Sequence, residues 1–169
     1  MKKVLVFGNS GSGKSTLARS LSTEFGLAHL DLDTLAWEPG TPPERKSLDQ
    51  SRKAINGFLD QHAEWVVEGC YSDLIEMLLV ASSEIVFLDL PVYLCIANAR
   101  ARPWEPHKYE SKEAQDANLG LLVDWIAEYE QREDTFSRAS HQALYESYGG
   151  KKTRYTSNRA LGLGLGGSA

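Results

Sequence analysis

The sequence predicts a three-layer α/β domain built around a parallel sheet, and three observations carry that expectation. Short β-branched and aromatic runs alternate with helical apolar stripes along most of the chain. The first run, Val4 to Phe7, is continuous and ends in glycine, as strands buried in parallel sheets do. A helical pattern follows those glycines directly, and the same order then recurs, which implies right-handed crossovers around one sheet.

Taken in order, Val4 to Phe7 is the first strand. From Lys14 onward Leu17, Leu21 and Phe25 recur every four residues, giving a helix that Gly26 can end. Ala28 to Leu32 reads as the second strand. Thr41-Pro42-Pro43-Glu44 spells a capping box with proline at the first helical position, and Leu48, Ile55, Leu59 and His62 extend a helical face behind it. Trp65 to Val67 is a third short strand, followed by a helix from about Ser72 to Ala81 and a fourth strand from Ile85 to Leu88. Pro91 opens a helix running to Arg102, where Pro103 and Pro106 impose a non-helical segment through about Ser111. Leu119, Leu122, Ile126, Tyr129, Phe136 and Ala143 mark one long amphipathic helix, and Thr153 to Thr156 supplies a last strand. Glycine at alternate positions makes 161–169 a poorly ordered tail. One domain over 1–160 remains, with a lid at about 103–118.

The chain has 169 residues, with 18 Lys+Arg against 23 Asp+Glu and a net charge of −5. Without a Lys/Arg block it has no diffuse attraction for nucleic acid or anionic lipid, so direct nucleic-acid binding is not expected and any phosphate must be gripped locally. Cys70 and Cys95 are far apart and form no metal-ligand spacing, which argues against a disulfide scaffold or a zinc site and fits a reduced cytoplasm. No stretch approaches the roughly 20 apolar residues that span a bilayer, so neither membrane insertion nor export is expected. A monomer or homodimer fits this composition equally.

Gly8-Asn9-Ser10-Gly11-Ser12-Gly13-Lys14-Ser15 matches GxxxxGK[ST] at every fixed position, between a strand and a helix. Gly8, Gly11 and Gly13 let the backbone N–H groups of this loop, Ser10 and Ser12 included, turn inward around a phosphate, and the helix N-terminus adds its dipole. Lys14 is suited to the β- and γ-phosphates of ATP, Ser15 to Mg²⁺, and Thr16 to the α-phosphate.

Asp31 and Asp33 lie two residues apart at the end of the second strand, so both carboxylates leave the same face at the sheet's carboxyl edge. Asp33 is the candidate to hold a phosphoryl acceptor or take its hydroxyl proton, and Asp31 is a candidate for the metal. A second metal carboxylate is sought in Glu68, at the end of the strand expected beside the first, or in Asp89, which closes Ile85-Val86-Phe87-Leu88-Asp89. Position favours Glu68. Arg100 and Arg102 end a helix before the Pro-bounded segment and can swing over a transferring phosphoryl group, and Arg132 can join them from the long helix. Arg45 opposes a helix dipole and is a candidate for an anionic acceptor, while Trp37 is a candidate to stack on an acceptor ring. Solvated charge and plain core packing are the competing explanations for these residues. Trp125 and Tyr129 read as core, His107 has at most a loop contact, and both cysteines read as small hydrophobes.

The P-loop, Leu32-Asp33-Thr34-Leu35-Ala36-Trp37, Trp65-Val66-Val67-Glu68-Gly69 and Phe87-Leu88-Asp89-Leu90-Pro91 together resemble the adenylate-kinase-like P-loop proteins identified as FlaR-type topology modulation proteins. Trp125 to Tyr129 and Arg132 extend the likeness, so it covers most of 1–157. The resemblance implies five parallel strands in the order 2-3-1-4-5, a plan that shikimate, gluconate and nucleoside monophosphate kinases share. It also implies an Asp-x-Asp for Mg²⁺ and acceptor hydroxyl at Asp31-Leu32-Asp33, and an acceptor position at Gly69. Where nucleoside monophosphate kinases place an acceptor arginine shortly after that glycine, this chain has Cys70, Tyr71 and Ser72. Where the lid-bearing helix often carries an arginine, it has Asn98.

Two readings follow. The first is a kinase moving the γ-phosphoryl of MgATP to a small-molecule or nucleotide acceptor. The second is a nucleotide-dependent regulator or ATPase of the topology-modulation type. A GTPase is disfavoured because NKxD and DxxG are missing, and an ABC or AAA+ machine needs signature motifs and a longer chain.

Overall fold

The computed structural model describes residues 1–159, which form a parallel sheet between two helical layers with a small hairpin beside it. In chain order the elements are β1 (Lys3–Gly8), α1 (Lys14–Phe25), β2 (Ala28–Asp31), α2 (Asp33–Ala36), β3 (Trp37–Glu38), β4 (Glu44–Arg45) and α3 (Leu48–Gln61). Then come β5 (Trp65–Gly69), α4 (Ser72–Glu76), β6 (Glu84–Leu88), α5 (Val92–Ala101), α6 (Lys112–Ala127), α7 (Arg138–Ser147) and β7 (Lys151–Tyr155). The main sheet runs β2-β5-β1-β6-β7 with every pair parallel. Counting only its own strands, this is the order 2-3-1-4-5 that the family resemblance implies.

Alternation along the strands sends side chains to two cores. Leu5, Phe7, Trp65, Val67, Ile85 and Phe87 pack with Ile55 of α3, Leu74 of α4 and Leu144 of α7. Val4, Val6, Val66, Val86 and Leu88 pack on the other face with Leu17 of α1, Cys95 of α5 and Ile126 of α6. Register brings Asp31 beside Glu68 and Phe7 beside Gly69 and Phe87, so the carboxyl ends of β2, β5, β1 and β6 meet at one edge. No described helix is long and apolar enough to cross a membrane.

Three expected elements differ. The capping-box spelling at Thr41 starts no helix: β3 and β4 pair antiparallel there, and the capping box forms at Ser47, whose hydroxyl accepts from the Gln50 N–H at 3.2 Å while the Gln50 side chain accepts from the Ser47 N–H at 3.0 Å. Two sequences could cap this helix, and the later one turns Ser51 and Ile55 inward onto the core. The helix after β5 is also shorter than expected, ending at Glu76 and continuing as turns to Ala81. The single long helix is really two, α6 and α7, because Asp134 Oδ1 accepts from the Phe136 N–H at 2.9 Å and Ser137 caps a new start through the Ser140 N–H at 3.1 Å. The irregular part of the expected lid covers 102–111, and α6 begins at Lys112 behind the Ser111 cap. The expected tail at 161–169 lies outside the described residues.

His141 of α7 ties the layers together. Its Nε2 donates to the Cys70 carbonyl at 2.8 Å, so its Nδ1 accepts from the Tyr129 hydroxyl at 2.7 Å, and the ring is fully buried beside Phe7 and Phe87. Burial pushes the imidazole down to about 4, against an ordinary 6.5. Between those values the unfolded ring binds a proton that the folded ring refuses, so this residue's contribution to stability falls as pH is lowered through that window. In urea melts across the window, wild type should lose stability relative to His141→Gln by up to about 1.4 kcal/mol per pH unit. A pH-independent difference between the two would refute the assignment.

Candidate active site

The P-loop follows β1 because residues 9–13 form a turn that delivers α1 with its N-terminus toward the sheet edge. Gly11 has φ +78°, and a Cβ there would lie 2.3 Å from the Cys95 carbonyl oxygen, so only glycine fits. A Cβ on Gly8 would lie 2.5 Å from the Leu88 carbonyl oxygen. Asn98 of α5 donates to the Gly11 carbonyl at 2.8 Å and to Asn158 Oδ1 at 2.9 Å, and Asn158 in turn donates to the Ser12 carbonyl at 3.0 Å. Two amides therefore brace the outside of the loop. Asn98 holds the loop's shape.

A cleft of about 510 Å³ opens above this edge. Ser10, Gly11, Gly13, Lys14, Ser15 and Thr16 line it, whereas Gly8 and Ser12 are buried beneath and shape the loop instead. The first N–H groups of α1 have no side-chain cap and no acidic residue in the first turn, which leaves the donors and the dipole free for an anion. Lys14 Nζ rests on the Asn9 carbonyl at 2.7 Å.

Glu68, buried at the end of β5, accepts from the Ser15 hydroxyl at 2.7 Å and lies 3.3 Å from His29 Nε2. A hydroxyl and a carboxylate so placed form a hard-oxygen pair of the kind Mg²⁺ takes together with phosphate oxygens. Among the described residues no group of three His, Cys, Asp or Glu side chains forms a cage for a metal. Asp89 does not line the cleft. Arg138 forks onto it with two hydrogen bonds of 2.9 Å and Arg154 also pairs with it. Burial alone would raise this carboxyl, but the two guanidinium groups hold it below the usual range.

Asp31 and Asp33 both line the cleft. Asp31 Oδ1 accepts from the Asp33 N–H at 2.9 Å, and burial, with the charges of Glu68 and Asp33, pushes its carboxyl up to about 6. Asp33 accepts from the Tyr71 hydroxyl and from Lys108 Nζ at 3.3 Å, while Trp37 Nε1 donates to the Tyr71 oxygen at 2.8 Å. Burial would raise Asp33 too, but Lys108, the Tyr71 hydroxyl and Lys14 outweigh it and leave the carboxyl below its ordinary value. The two acids are thus pushed apart, one ionised and one poised near neutrality.

The expected arginines separate. Arg102 lines the cleft and lies 3.6 Å from Glu105, but Arg100 is exposed on α5 and does not reach it. Arg132 donates to the Trp125 carbonyl and Arg45 pairs with Asp73 at 3.2 Å, and neither lines the cleft. Arg45 belongs to β4, not to a helix, so the dipole explanation for it fails. Trp37 and Gly69 line the cleft as expected, and Trp125, expected in the core, does so as well while Tyr129 is buried. Tyr71, Lys108, Phe136 and Arg19 also line it and carried no local sequence pattern. The 102–111 segment is fastened by Gln115, which accepts from the Glu105 N–H at 2.8 Å and donates to the Pro103 carbonyl at 3.1 Å.

A family model described as an AAA domain matches residues 4–118, from β1 into α6. The chain belongs to that AAA-domain family. The sequence reading sets AAA+ machines aside, whereas the family description attaches to this P-loop domain itself, and the matched part includes the P-loop, Asp31, Asp33, Glu68 and Lys108. This AAA domain is also 26% identical over 147 residues to the uncharacterized protein YqaC of Bacillus subtilis (strain 168), covering 83% of the chain and 80% of that protein. An unliganded sugar kinase from Janibacter sp. HTCC2649 overlays 92% of the chain and 85% of its own, with 15% identity and a TM-score of 0.46. Membership implies nucleotide binding at the P-loop.

Proposed function

We propose that this protein is a phosphotransferase that moves the γ-phosphoryl of MgATP to a hydroxyl of a small acceptor. One observation carries the reading: the ionised carboxylate of Asp33 shares a single cleft with Lys14 and the Ser15–Glu68 pair. An enzyme that only clamps nucleotide has no need of a second, separately held carboxylate at the acceptor end. The free N–H groups of α1 and the P-loop would bind the phosphates, and Lys14 Nζ would turn from the Asn9 carbonyl to the β- and γ-oxygens. Ser15, with Glu68 behind it and Asp31 nearby, would hold Mg²⁺, which when bound neutralises charge on the phosphates. Asp33 would accept the hydrogen bond of the acceptor hydroxyl and then its proton as the new O–P bond forms and the bond from the γ-phosphorus to the β–γ bridging oxygen breaks. Arg102 would offset charge on the transferring group.

A second reading, an ATPase or nucleotide-dependent regulator, is favoured by the pairing of Asp33 with Lys108, which fills the position an acceptor hydroxyl needs. ADP release from MgATP separates the two, measured alone and against nucleosides, nucleoside monophosphates, shikimate and gluconate. Stimulation by one acceptor, with a phosphorylated product, is expected. Slow hydrolysis indifferent to every acceptor would favour the second reading.

A further inference from the structure

Trp37, Tyr71, Phe136 and Trp125 come from four separate stretches of chain and form one aromatic wall of the cleft. Their rings meet edge to face in series, with centroids 6.4 Å apart at 67° for Trp37 and Tyr71, 5.3 Å at 70° for Tyr71 and Phe136, and 5.5 Å at 65° for Phe136 and Trp125. The hydrogen-bond chain from Trp37 through Tyr71 to Asp33 fixes this wall to the acceptor carboxylate, not to the P-loop. Trp37 keeps 37% of its surface exposed, apolar area that the fold itself leaves uncovered.

Two guanidinium groups support the wall from outside the cleft. Arg45 Cζ lies 4.9 Å from the Tyr71 centroid, 5.8 Å from that of Trp37 and 5.7 Å from that of Phe136, with its charge matched by Asp73. Arg132 Cζ lies 3.9 Å from the Trp125 centroid. These two cations are therefore committed to aromatic rings and do not line the cleft. Of the cations that do line it, Arg102 lies 3.6 Å from Glu105, Arg19 stands on α1 and Lys14 belongs to the P-loop. Lys108, which does reach the acceptor end, is matched by Asp33. With Asp33 already paired to Lys108, what faces an incoming acceptor is aromatic surface and the carboxylate of Asp31, a setting that favours an uncharged group over a phosphate dianion.

Resting on the phosphotransferase reading above, we infer that the acceptor is a neutral alcohol carrying a planar ring, of the nucleoside kind, and not a phosphate monoester. The ring stacks on the aromatic wall and the hydroxyl meets Asp33. Uncharged hydroxyls can approach the acid pair without the repulsion a phosphate would meet.

The test is calorimetric titration of the full chain with saturating MgADP, which fills the donor end. The probes are thymidine and pyridoxine, the 5′-monophosphate of each, and glucose. At least one ring alcohol should bind, with its monophosphate at least about tenfold weaker and glucose negligible. Trp37→Ala should weaken the ring alcohol about tenfold and leave MgADP affinity unchanged, and Trp37→Phe should restore most of the loss. A monophosphate bound as tightly as its alcohol, glucose bound as well as either ring alcohol, or neither ring alcohol bound by protein that holds MgADP would each overturn the inference. Failure to hold MgADP overturns both this inference and the reading beneath it. Binding of thymidine without transfer of labelled phosphate from ATP would keep the ring-alcohol site and sink the phosphotransferase.

Discussion

Lys14→Ala should lower MgATP turnover by at least about 10²-fold and leave the fold in place. The large effect is expected because the ammonium is the cation of the P-loop itself, with Nζ held 2.7 Å from the Asn9 carbonyl at the edge of the phosphate cradle. The small effect on folding follows from the same geometry. Lys14 is only partly buried, and its one hydrogen bond to the protein contributes about 1 kcal/mol. ADP release and a thermal melt, run on the same preparation, check both halves. Wild-type turnover in the variant would remove the P-loop from the chemistry, and a collapsed melt would show that Lys14 has a structural task.

Asp33→Asn should slow transfer to the acceptor by about 10²- to 10⁴-fold while the KM for MgATP changes little. Asparagine keeps an oxygen for the Tyr71 hydroxyl but loses the negative charge, and with it the capacity to take a proton and the pull on Lys108. Initial rates over a range of MgATP concentrations, together with direct MgATP binding, separate the two effects. Equal losses in transfer and in MgATP binding would place Asp33 at the metal. Wild-type transfer would hand the acceptor to Asp31, the neighbouring carboxylate that also lines the cleft.

The donor half of the site was legible in the sequence because its chemistry is local. A phosphate cradle needs glycines at fixed offsets from one lysine and one hydroxyl, and Gly8 to Ser15 supplies them within eight consecutive residues. Glu68 could be placed from strand adjacency, since the sheet order puts β5 against β1. At the proposed acceptor end Asp33, Trp37 and Gly69 were legible, but the groups that hold Asp33 were not, because they are brought from a distance: Tyr71 reaches Asp33 across 38 residues and Lys108 across 75. Arg45 and Arg132 show the complementary error. Charge type suggested phosphate contact, but only packing reveals that their guanidinium groups lie against aromatic rings. In the fold, the spacing of Ile126, Tyr129 and Phe136 kept helical period through a stretch where Asp134 and Ser137 break the backbone hydrogen bonding, so periodicity ran two helices into one.

The sheet order also sets a timetable for biosynthesis. β1 is central, and its flanking strands are β5 and β6, so the apolar run ahead of the P-loop has no complete set of neighbours until Leu88 has been made, eighty residues after Gly8. At ribosomal rates of about 5–20 residues per second, that interval lasts roughly 4–16 s. Parallel pairing across such distances is slow to form once the residues exist. For that time Val4, Leu5, Val6 and Phe7 are a sticky nascent segment, and the growing chain has α1, whose Leu17 and Ala18 share a core with Val4 and Val6, to shelter one face of it before the sheet can close around its first strand.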